Sequence, residues 1–326
     1  MFDFTFSQND EAMLARLQQF LPDKIFDAHC HIYNLEHMPD AGAIYNVYGD
    51  ATAKRFVEDQ KLFYGDRTVK ALFLPFPATN FRDKELRHEV NKWMVKQLSD
   101  APDCVCELYV APGDTEEELE AQLTDSRIKG FKCYHLTTEA EGATALTDIC
   151  TYLPECVWQV SDRHGLFITL HMVKELSLSD PVNLAYIKEM TARYPNAKLI
   201  LAHCARGFAS WQTIEAVRQL KGIDNIYYDM AAICDPATIF EVIRQAGADH
   251  VLWGSDYPID RDHCKPFSVK EGFVWLYNDN SGFSCNMLAL ESLFAFCQAC
   301  LMLDASREDI ENIFYYNAIR LFGLEA

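Results

Sequence analysis

Two histidines separated by a single residue, His29 and His31, follow an apolar run near the start of the chain. In an extended strand alternate side chains point to the same face, so Asp27, His29 and His31 share a face and the two imidazoles converge. Neutral imidazole is a frequent ligand of zinc and similar ions. The pair therefore supplies half of a metal site, whereas an isolated histidine is more often a core or surface residue.

Three more side chains with metal-binding or acid–base chemistry stand where other apolar runs end, namely His171, His203 and Asp256. Each of them alone is explained as well by a polar residue that caps a helix. If the apolar runs are parallel strands of one barrel, however, their carboxyl ends meet at the rim where barrel enzymes build active sites. The agreement of these positions with His29 and His31 therefore predicts one site at such a rim.

The scaffold for this site follows from the order of apolar runs and helical patterns along the chain. We predict eight strands, each followed by a helix, over residues 24–31, 69–76, 104–111, 128–134, 166–172, 197–204, 225–231 and 250–256. Residues 198–202 are almost entirely apolar, which is typical of strands buried on both faces of a parallel sheet. The predicted fold class is therefore α/β, a (β/α)8 TIM barrel that takes residues 1–326 as a single domain. An open doubly wound sheet is the alternative, but no glycine-rich dinucleotide loop follows the first strand.

The predicted helices begin at recognisable capping residues. Thr115 opens a capping box, and Asp180 and Asp235 each precede a proline that suits the first helical turn. Residues 1–22 suggest a leading amphipathic helix, and residues at about 307–322 suggest a final one. These signals place helices where the alternation with strands requires them.

Two connecting stretches are longer than ordinary loops: 32–68 after the first strand and 257–305 after the eighth. We expect both to lie over the barrel mouth and to choose the substrate, because long loops on a rigid scaffold commonly carry specificity. Aromatic residues such as Tyr45 and Tyr48 suggest a covered, partly apolar pocket.

Composition excludes several classes of function. The formal net charge of −19 and the pI near 4.9 argue against nucleic-acid binding, which needs clustered basic residues, and against anionic membranes. The sequence has no apolar run of about 18 residues, and Met1 to Phe4 lack the features of a signal peptide. We therefore predict a globular, cytoplasmic protein.

Taken together, the motifs resemble the amidohydrolase superfamily of metal-dependent barrel enzymes, and most closely its amidohydrolase 2 branch of hydrolases and decarboxylases. They run in family order over nearly the whole chain. The resembling motifs are Phe26-Asp27-Ala28-His29-Cys30-His31, Gly130-Phe131-Lys132, Thr169-Leu170-His171, Leu201-Ala202-His203, Gly254-Ser255-Asp256-Tyr257-Pro258 and Asn317-Ala318-Ile319-Arg320-Leu321-Phe322-Gly323.

The resemblance implies that His29, His31 and His171 bind one divalent metal ion, most often zinc, with manganese or iron as alternatives. Asp256 would either complete the ligand set or hold the reactive water, take its proton during attack and return it to the leaving group. His203 would contact the substrate instead of the metal and polarise a carbonyl or donate a proton. The implied catalytic residues are thus Asp256 and His203.

Three further residues are candidates for substrate binding. Lys132 matches a strand-four lysine that we expect to contact substrate or to form a buried ion pair beside a single metal, the alternative being a carboxylated bridge between two metals. Tyr134 follows it and either reaches the mouth or packs in the loop. Arg206 could hold a substrate carboxylate bidentately, or it could equally cap a helix or join two loops through an ion pair.

Two reactions fit this set of residues. The first is hydrolysis of a C–N or C–O bond in an amide, cyclic amide or lactone, and the alternative is non-oxidative decarboxylation of an aromatic or unsaturated carboxylic acid. A barrel that binds metal without catalysis is the third interpretation. The expected partner is a small molecule, which could be a carboxylic acid, and the resemblance suggests a homodimer.

Overall fold

Eight parallel strands pair in sequence order in the computed structural model, which describes residues 5–38, 48–278 and 284–325. The strands are β1 (Lys24–Ile32), β2 (Thr68–Pro75), β3 (Val105–Val110), β4 (Ile128–Cys133), β5 (Phe167–Leu170), β6 (Lys198–Leu201), β7 (Ile226–Asp229) and β8 (Val251–Leu252). The segment after β8 returns to β1, where the Ala28 N–H donates to the Trp253 carbonyl at 2.8 Å and the His31 N–H to the Tyr257 carbonyl at 2.7 Å. The sheet thus closes into the predicted (β/α)8 barrel.

The last four strands end earlier than the sequence predicts. The eighth was expected over 250–256 but spans only Val251–Leu252, and the sixth ends at Leu201 instead of residue 204. Beyond β6 the His203 N–H donates to the Asp229 carboxylate, and beyond β8 the backbone keeps separate hydrogen bonds to β1 without forming a strand. His203 and Asp256 therefore stand on irregular backbone just above the barrel.

The helices surround the sheet, and the predicted capping residues open them. Thr115 forms a capping box with Glu118. Asp180 and Asp235 each stand directly before a proline, and their side chains accept hydrogen bonds from backbone N–H groups of the first helical turn. The main helices are Gln8–Leu17, Ala53–Tyr64, Lys84–Gln97, Glu116–Gln122, Glu155–His164, Pro181–Arg193, Ser210–Ala216, Pro236–Ala246 and Leu288–Leu303. The prediction of β-α alternation is confirmed.

The C-terminal helical segment covers the end of the barrel opposite the predicted site. It runs through Arg307–Glu311, a π-helical turn at Asn312–Tyr316, and Asn317–Phe322. The Phe322 ring lies 4.6 Å from that of Phe167 and 5.4 Å from that of Phe26, measured between centroids. These aromatic rings fill the amino-terminal end of the barrel.

The long stretch after β8 divides into two parts. An antiparallel hairpin, β9 (Cys264–Val269) and β10 (Gly272–Tyr277), reaches the mouth, where the Phe273 ring lies 4.8 Å from Phe208. Leu288–Leu303 instead packs beside Pro236–Ala246 and joins the outer helical wall. The expectation that all of 257–305 lies over the mouth is wrong in this second part, because an almost wholly apolar helix is buried against its neighbours.

The stretch after β1 carries the helix Ala53–Tyr64, whose Phe56 ring packs at 5.3 Å from Tyr257. Tyr45 of this stretch and the segment from Met1 to Phe4 lie outside the described residues. Among the helices that are described, none is long and apolar enough to span a bilayer. The assignment of the whole chain to one domain stays a prediction.

We expect Phe322→Ala to lower the free energy of unfolding by about 3 kcal/mol, because the lost ring leaves a cavity against Phe26 and Phe167. Urea unfolding followed by circular dichroism measures this change. Phe267→Ala is the matched control, since its ring is 43% exposed on the hairpin and its removal should cost less than about 1 kcal/mol. Equal losses in the two variants would contradict the packing role of Phe322.

Candidate active site

Three ligand atoms meet above the barrel where β1 and the segment after β8 lie side by side. His29 Nε2 is 3.2 Å from His31 Nε2, and Asp256 Oδ1 is 3.5 Å from the first and 3.4 Å from the second. Ligand atoms about 2.1 Å from a tetrahedral zinc ion lie about 3.4 Å from one another. The spacing of these atoms therefore fits a single divalent ion.

A buried carboxylate, Asp229 at the end of β7, orients the first of these ligands. Its Oδ2 lies 2.9 Å from His29 Nδ1, and its Oδ1 accepts the N–H groups of His203 at 2.9 Å and of Ala231 at 3.1 Å. When Nδ1 donates to Asp229, the lone pair of His29 Nε2 is directed toward His31 and Asp256. Sequence reasoning missed Asp229, although an acid that closes the run Ile226–Asp229 is the same strand-end signal that found His171 and His203.

Asp27 plays a different part from the one its position on the histidine face suggests. Its Oδ1 accepts the N–H of Ser255 at 2.9 Å and that of His29 at 3.2 Å. Burial raises the pKa of this carboxyl to about 6, against the effect of these hydrogen bonds. Asp27 therefore joins the backbone of β1 to the segment that carries Asp256, and it orients no imidazole.

Burial sets the charge state of the candidate ligands. It lowers the pKa of His29, His31 and His171, so these imidazoles are neutral near pH 7, as metal ligation requires. Burial alone would raise the pKa of Asp256, but His203, His31 and His29 outweigh it and hold the value well below its usual range. The site thus combines neutral nitrogen donors with an ionised oxygen donor.

His171 follows β5 and lies beside the three converging atoms, not among them. Its ring centroid is 5.3 Å from His203 and 5.7 Å from Tyr134. No described residue makes a hydrogen bond to its buried Nδ1. A buried ring nitrogen without a partner is costly unless a ligand satisfies it, so this atom suits metal or substrate.

His203 begins a left-handed turn after β6. The φ angles of His203, Cys204, Ala205 and Arg206 are 55°, 48°, 62° and 60°, and the Gly207 N–H donates to the His203 carbonyl at 2.7 Å. The His203 ring is buried 4.7 Å from that of His29, and its Nδ1 lies 2.9 Å from the Ala231 carbonyl. That contact makes Nδ1 a donor, because a carbonyl oxygen can only accept a hydrogen bond.

Lys132 lies inside the barrel, where its buried Nζ has no hydrogen-bond partner among the described residues and lies 5.0 Å from the centre of the Tyr134 ring. Burial lowers its pKa, while the charges of Asp229 and Glu107 act in the opposite direction. The Tyr134 hydroxyl in turn is 3.4 Å from His31 Nε2. Lys132 is thus a buried amine close to the candidate ligands, and its contact with the substrate stays a prediction.

Glu107 on β3 is a second acid that the sequence did not reveal, because it stands within an apolar strand. Its Oε1 accepts a hydrogen bond from Thr169 Oγ1 at 2.8 Å, and burial raises its pKa to about 8. The charge of Lys132 acts against this effect of burial and favours the ionised form.

Comparison with known proteins agrees with this geometry. A family model described as amidohydrolase matches residues 26–324. An amidohydrolase from Burkholderia multivorans with bound zinc superposes with a TM-score of 0.60 at 12% identity, covering 92% of this chain and 99% of the other. A probable 2-pyrone-4,6-dicarboxylic acid hydrolase from Acinetobacter baumannii, with citric acid bound, gives 0.58 at 15% identity and the coverages 92% and 99%.

A 2,6-dihydroxybenzoate decarboxylase from Rhizobium is similar to the same extent, with a TM-score of 0.57, 14% identity and coverages of 92% and 98%. At such identities the likeness shows the fold. No curated protein matches the sequence.

Replacing the carboxylate that orients His29 should weaken metal binding. For Asp229→Asn we expect a fall in zinc affinity of about 10- to 100-fold, because one amide oxygen cannot accept all three N–H groups. Competition with a chromogenic chelator measures the affinity. The matched control is Glu107→Gln, an equally buried acid bonded to Thr169, which should change affinity less than about threefold. A similar loss in both variants would contradict a specific role for Asp229.

Proposed function

The chain belongs to the amidohydrolase family, and from that premise we propose that it is a metal-dependent hydrolase of a small molecule. The bond cleaved is a C–N or C–O bond, as in an amide, a cyclic amide or a lactone. The observation that carries this proposal is the convergence of His29 Nε2, His31 Nε2 and Asp256 Oδ1 at 3.2 to 3.5 Å from one another.

His29, His31 and Asp256 are the residues that would hold the ion, with His171 as the fourth candidate because its buried Nδ1 is unpartnered. Zinc is the ion we favour, since nitrogen and carboxylate donors at this spacing suit it. A divalent ion bound there supplies a Lewis acid that lowers the pKa of water to about 7. In the second group of possible ligands, His29, His203 and Asp229, His29 Nδ1 is already bonded to Asp229 and His203 Nδ1 to the Ala231 carbonyl, which supports one ion and not two.

Two side chains of this protein, Asp256 and His203, can carry out the proton transfers of the reaction. Asp256 is ionised, and its side chain is 12% exposed, so a water from the mouth can reach its carboxylate and give up a proton to it. His203 Nε2 can take a proton, and in its protonated form it can polarise the carbonyl of the substrate or pass that proton to the leaving group. Asp229 keeps His29 and the backbone of His203 in place during both steps.

Decarboxylation of an aromatic or unsaturated acid is the second candidate function. Structural neighbours include both a pyrone hydrolase and a dihydroxybenzoate decarboxylase, so the fold accommodates either reaction. The observation in this chain that favours it is Arg206, a half-buried cation beside the site without a carboxylate partner among the described residues. In that reaction the C–C bond to the carboxylate breaks, CO2 leaves, and His203 or Asp256 delivers to the carbon a proton that it has taken from water.

Metal content tests the proposal most directly. Protein purified without a chelator or a histidine tag should contain about one divalent ion per chain by elemental analysis. We expect His29→Ala and His171→Ala to lose the ion, and Asp256→Asn to lose all turnover. Full activity in a metal-free Asp256→Asn protein would contradict the mechanism. Two ions per chain would support a carboxylated Lys132 as a bridge between them.

His203→Asn should separate catalysis from metal binding. We expect the variant to keep the ion and to lose about 10²- to 10⁴-fold in kcat, because it lacks a group that transfers protons. Reaction in ¹⁸O-labelled water then distinguishes the two functions, since hydrolysis places ¹⁸O in the acyl product whereas decarboxylation releases CO2. Loss of the ion from His203→Asn would make His203 a ligand. The homodimer and the cytoplasmic location stay predictions.

A further inference from the structure

The leading helix Gln8–Leu17 carries an aspartate whose carboxylate does more than cap the helix. Asp10 Oδ2 accepts hydrogen bonds from Ser7 Oγ at 2.6 Å and from the Ser7 N–H at 2.8 Å, which forms a capping box. The same oxygen accepts a hydrogen bond from His263 Nε2 at 2.7 Å, and Oδ1 accepts the N–H of Met287 at 2.9 Å. Asp10 therefore joins the leading helix to residues that lie 253 and 277 positions further along the chain.

The two distant residues stand at the base of the hairpin that reaches the mouth. His263 directly precedes β9, and Met287 directly precedes the wall helix Leu288–Leu303. His263 and Met287 form an isolated antiparallel bridge, and the Asn278 N–H, just after β10, donates to the His263 carbonyl at 3.3 Å. The backbone before and after the hairpin thus meets at one point, and Asp10 binds that point.

The carboxylate of Asp10 is fully buried, and a buried carboxylate is costly unless hydrogen bonds satisfy it. Burial alone would raise the pKa of Asp10, but hydrogen bonds from Ser7, His263 and Met287 outweigh burial and hold the pKa below its usual range. Asp10 is therefore ionised near pH 7. Hydrogen bonds to an ionised acceptor are stronger than those to a neutral one, so the base of the hairpin is held firmly.

A second capping box shows that capping by itself does not require this burial. The helix Arg307–Glu311 begins with the same Ser-x-x-Asp pattern, and Ser306 Oγ donates to Asp309 Oδ2 at 2.7 Å. Asp309 is partly exposed, and among the described residues the hydrogen bonds to its carboxylate come from Ser306. The burial of Asp10 and its contacts with the hairpin therefore belong to a second role.

The leading helix is itself fixed to the outer wall of the barrel. The carbon at the centre of the Arg16 guanidinium lies 5.3 Å from the centre of the Phe294 ring. Phe20, which follows the leading helix, has its ring centroid 5.6 Å from that of Phe296. Both phenylalanines belong to the wall helix Leu288–Leu303, so the two helices form one support from which the hairpin projects.

The hairpin turns one face toward the candidate site. The rings of Phe273 and Trp275 on β10 lie 4.8 Å and 5.4 Å from that of Phe208, which in turn lies 5.3 Å from His203. Val274, between them, points away and is 44% exposed. The orientation of the hairpin therefore decides where the two aromatic rings stand at the mouth.

The turn of the hairpin has an anchor of its own. Gln212, buried in the helix Ser210–Ala216, donates from Nε2 to the Glu271 carbonyl at the turn and to the Glu175 carbonyl. A hairpin held at both its base and its turn has one orientation relative to the barrel.

We propose that Asp10 is a positioning residue for the active site, because it fixes the hairpin of β9 and β10 through His263 and Met287. Phe273 and Trp275 then form one wall of the mouth. The leading helix, although it lies outside the eight β-α units, thereby sets how widely the mouth opens. That the mouth admits a substrate rests on the proposed function, whereas the coupling of Asp10 to the hairpin does not.

The test follows the hairpin by ¹⁹F NMR of the full chain labelled with 5-fluorotryptophan. The chain has five tryptophans, and Trp275→Phe assigns the resonance of the hairpin. We expect Asp10→Ala and His263→Leu each to shift or broaden the Trp275 resonance by more than its linewidth, because loss of a hydrogen bond to an ionised group favours an open hairpin by about tenfold or more. The resonances of Trp93 and Trp158, on other helices, should stay in place.

Two further variants separate positioning from general stability. Asp309→Ala removes the acid of the other capping box and should leave the Trp275 resonance unchanged. His263→Gln keeps an N–H donor that faces Asp10 and should restore the resonance that His263→Leu loses. If Asp10→Ala does not fold, as judged by circular dichroism, His263→Leu carries the test, because it leaves the capping box of the leading helix intact.

Release of zinc from the metal-loaded protein measures the effect on the mouth. We expect a chelator in solution to remove the ion about threefold faster or more from Asp10→Ala, while the equilibrium affinity for zinc stays within about twofold, because an open hairpin changes access and not the ligands. Loss of affinity in step with the faster release would instead show damage to the metal ligands and would overturn the role of Asp10 at the mouth.

The outcomes also distinguish this inference from the proposed function. An unchanged Trp275 resonance in both Asp10→Ala and His263→Leu would overturn the inference. Equal changes at Trp93 and Trp158, or an equal change in Asp309→Ala, would overturn it as well, since they would report a general loss of stability. A protein that binds no zinc, but whose Trp275 resonance responds to Asp10→Ala, would contradict only the proposed function.

Discussion

The contact between His29 Nδ1 and the buried carboxylate of Asp229 is the interaction on which the rest of the site depends. Asp229 lies at the end of β7, yet its acceptor oxygens reach His29 on β1 and the first residue of the turn after β6. One carboxylate thereby fixes the tautomer of His29 and the backbone of His203. Because it is fully buried, each N–H group that donates to it offsets part of its desolvation.

This arrangement also explains why the strands end where they do. The backbone after β6 and β8 leaves the sheet and enters left-handed conformations at His203 and at Asp256, whose φ is 72°. Such conformations are unfavourable for residues other than glycine, and hydrogen bonds to other segments of the chain compensate for them. The Asp256 N–H, for instance, donates to the His29 carbonyl at 2.9 Å. Strands β6 and β8 are short because the backbone that follows them must bring side chains from separate strands together above the barrel.

The sequence was sufficient for those parts of the molecule that depend on periodicity and on local capping. Apolar runs predicted all eight strands, and Thr115 predicted a helix start, because both signals act within a few residues. It was insufficient for Asp229 and Glu107, whose roles depend on partners on other strands. The hairpin at Cys264–Tyr277 escaped prediction for a related reason, since its strands carry partly exposed apolar residues without clean alternation.

The net charge of the chain gives a reason for a cation at the position of Arg206. At −19 the protein as a whole repels anions, although salt screens that repulsion beyond about 8–10 Å. Among the described residues of the rim, Asp256 is ionised and would repel an organic acid, whereas Arg206 would attract it. Lys132 lies deeper, because its Nζ is buried beside the Tyr134 ring. Under the second candidate function, a carboxylate substrate would therefore need the charge of Arg206 to offset that of Asp256.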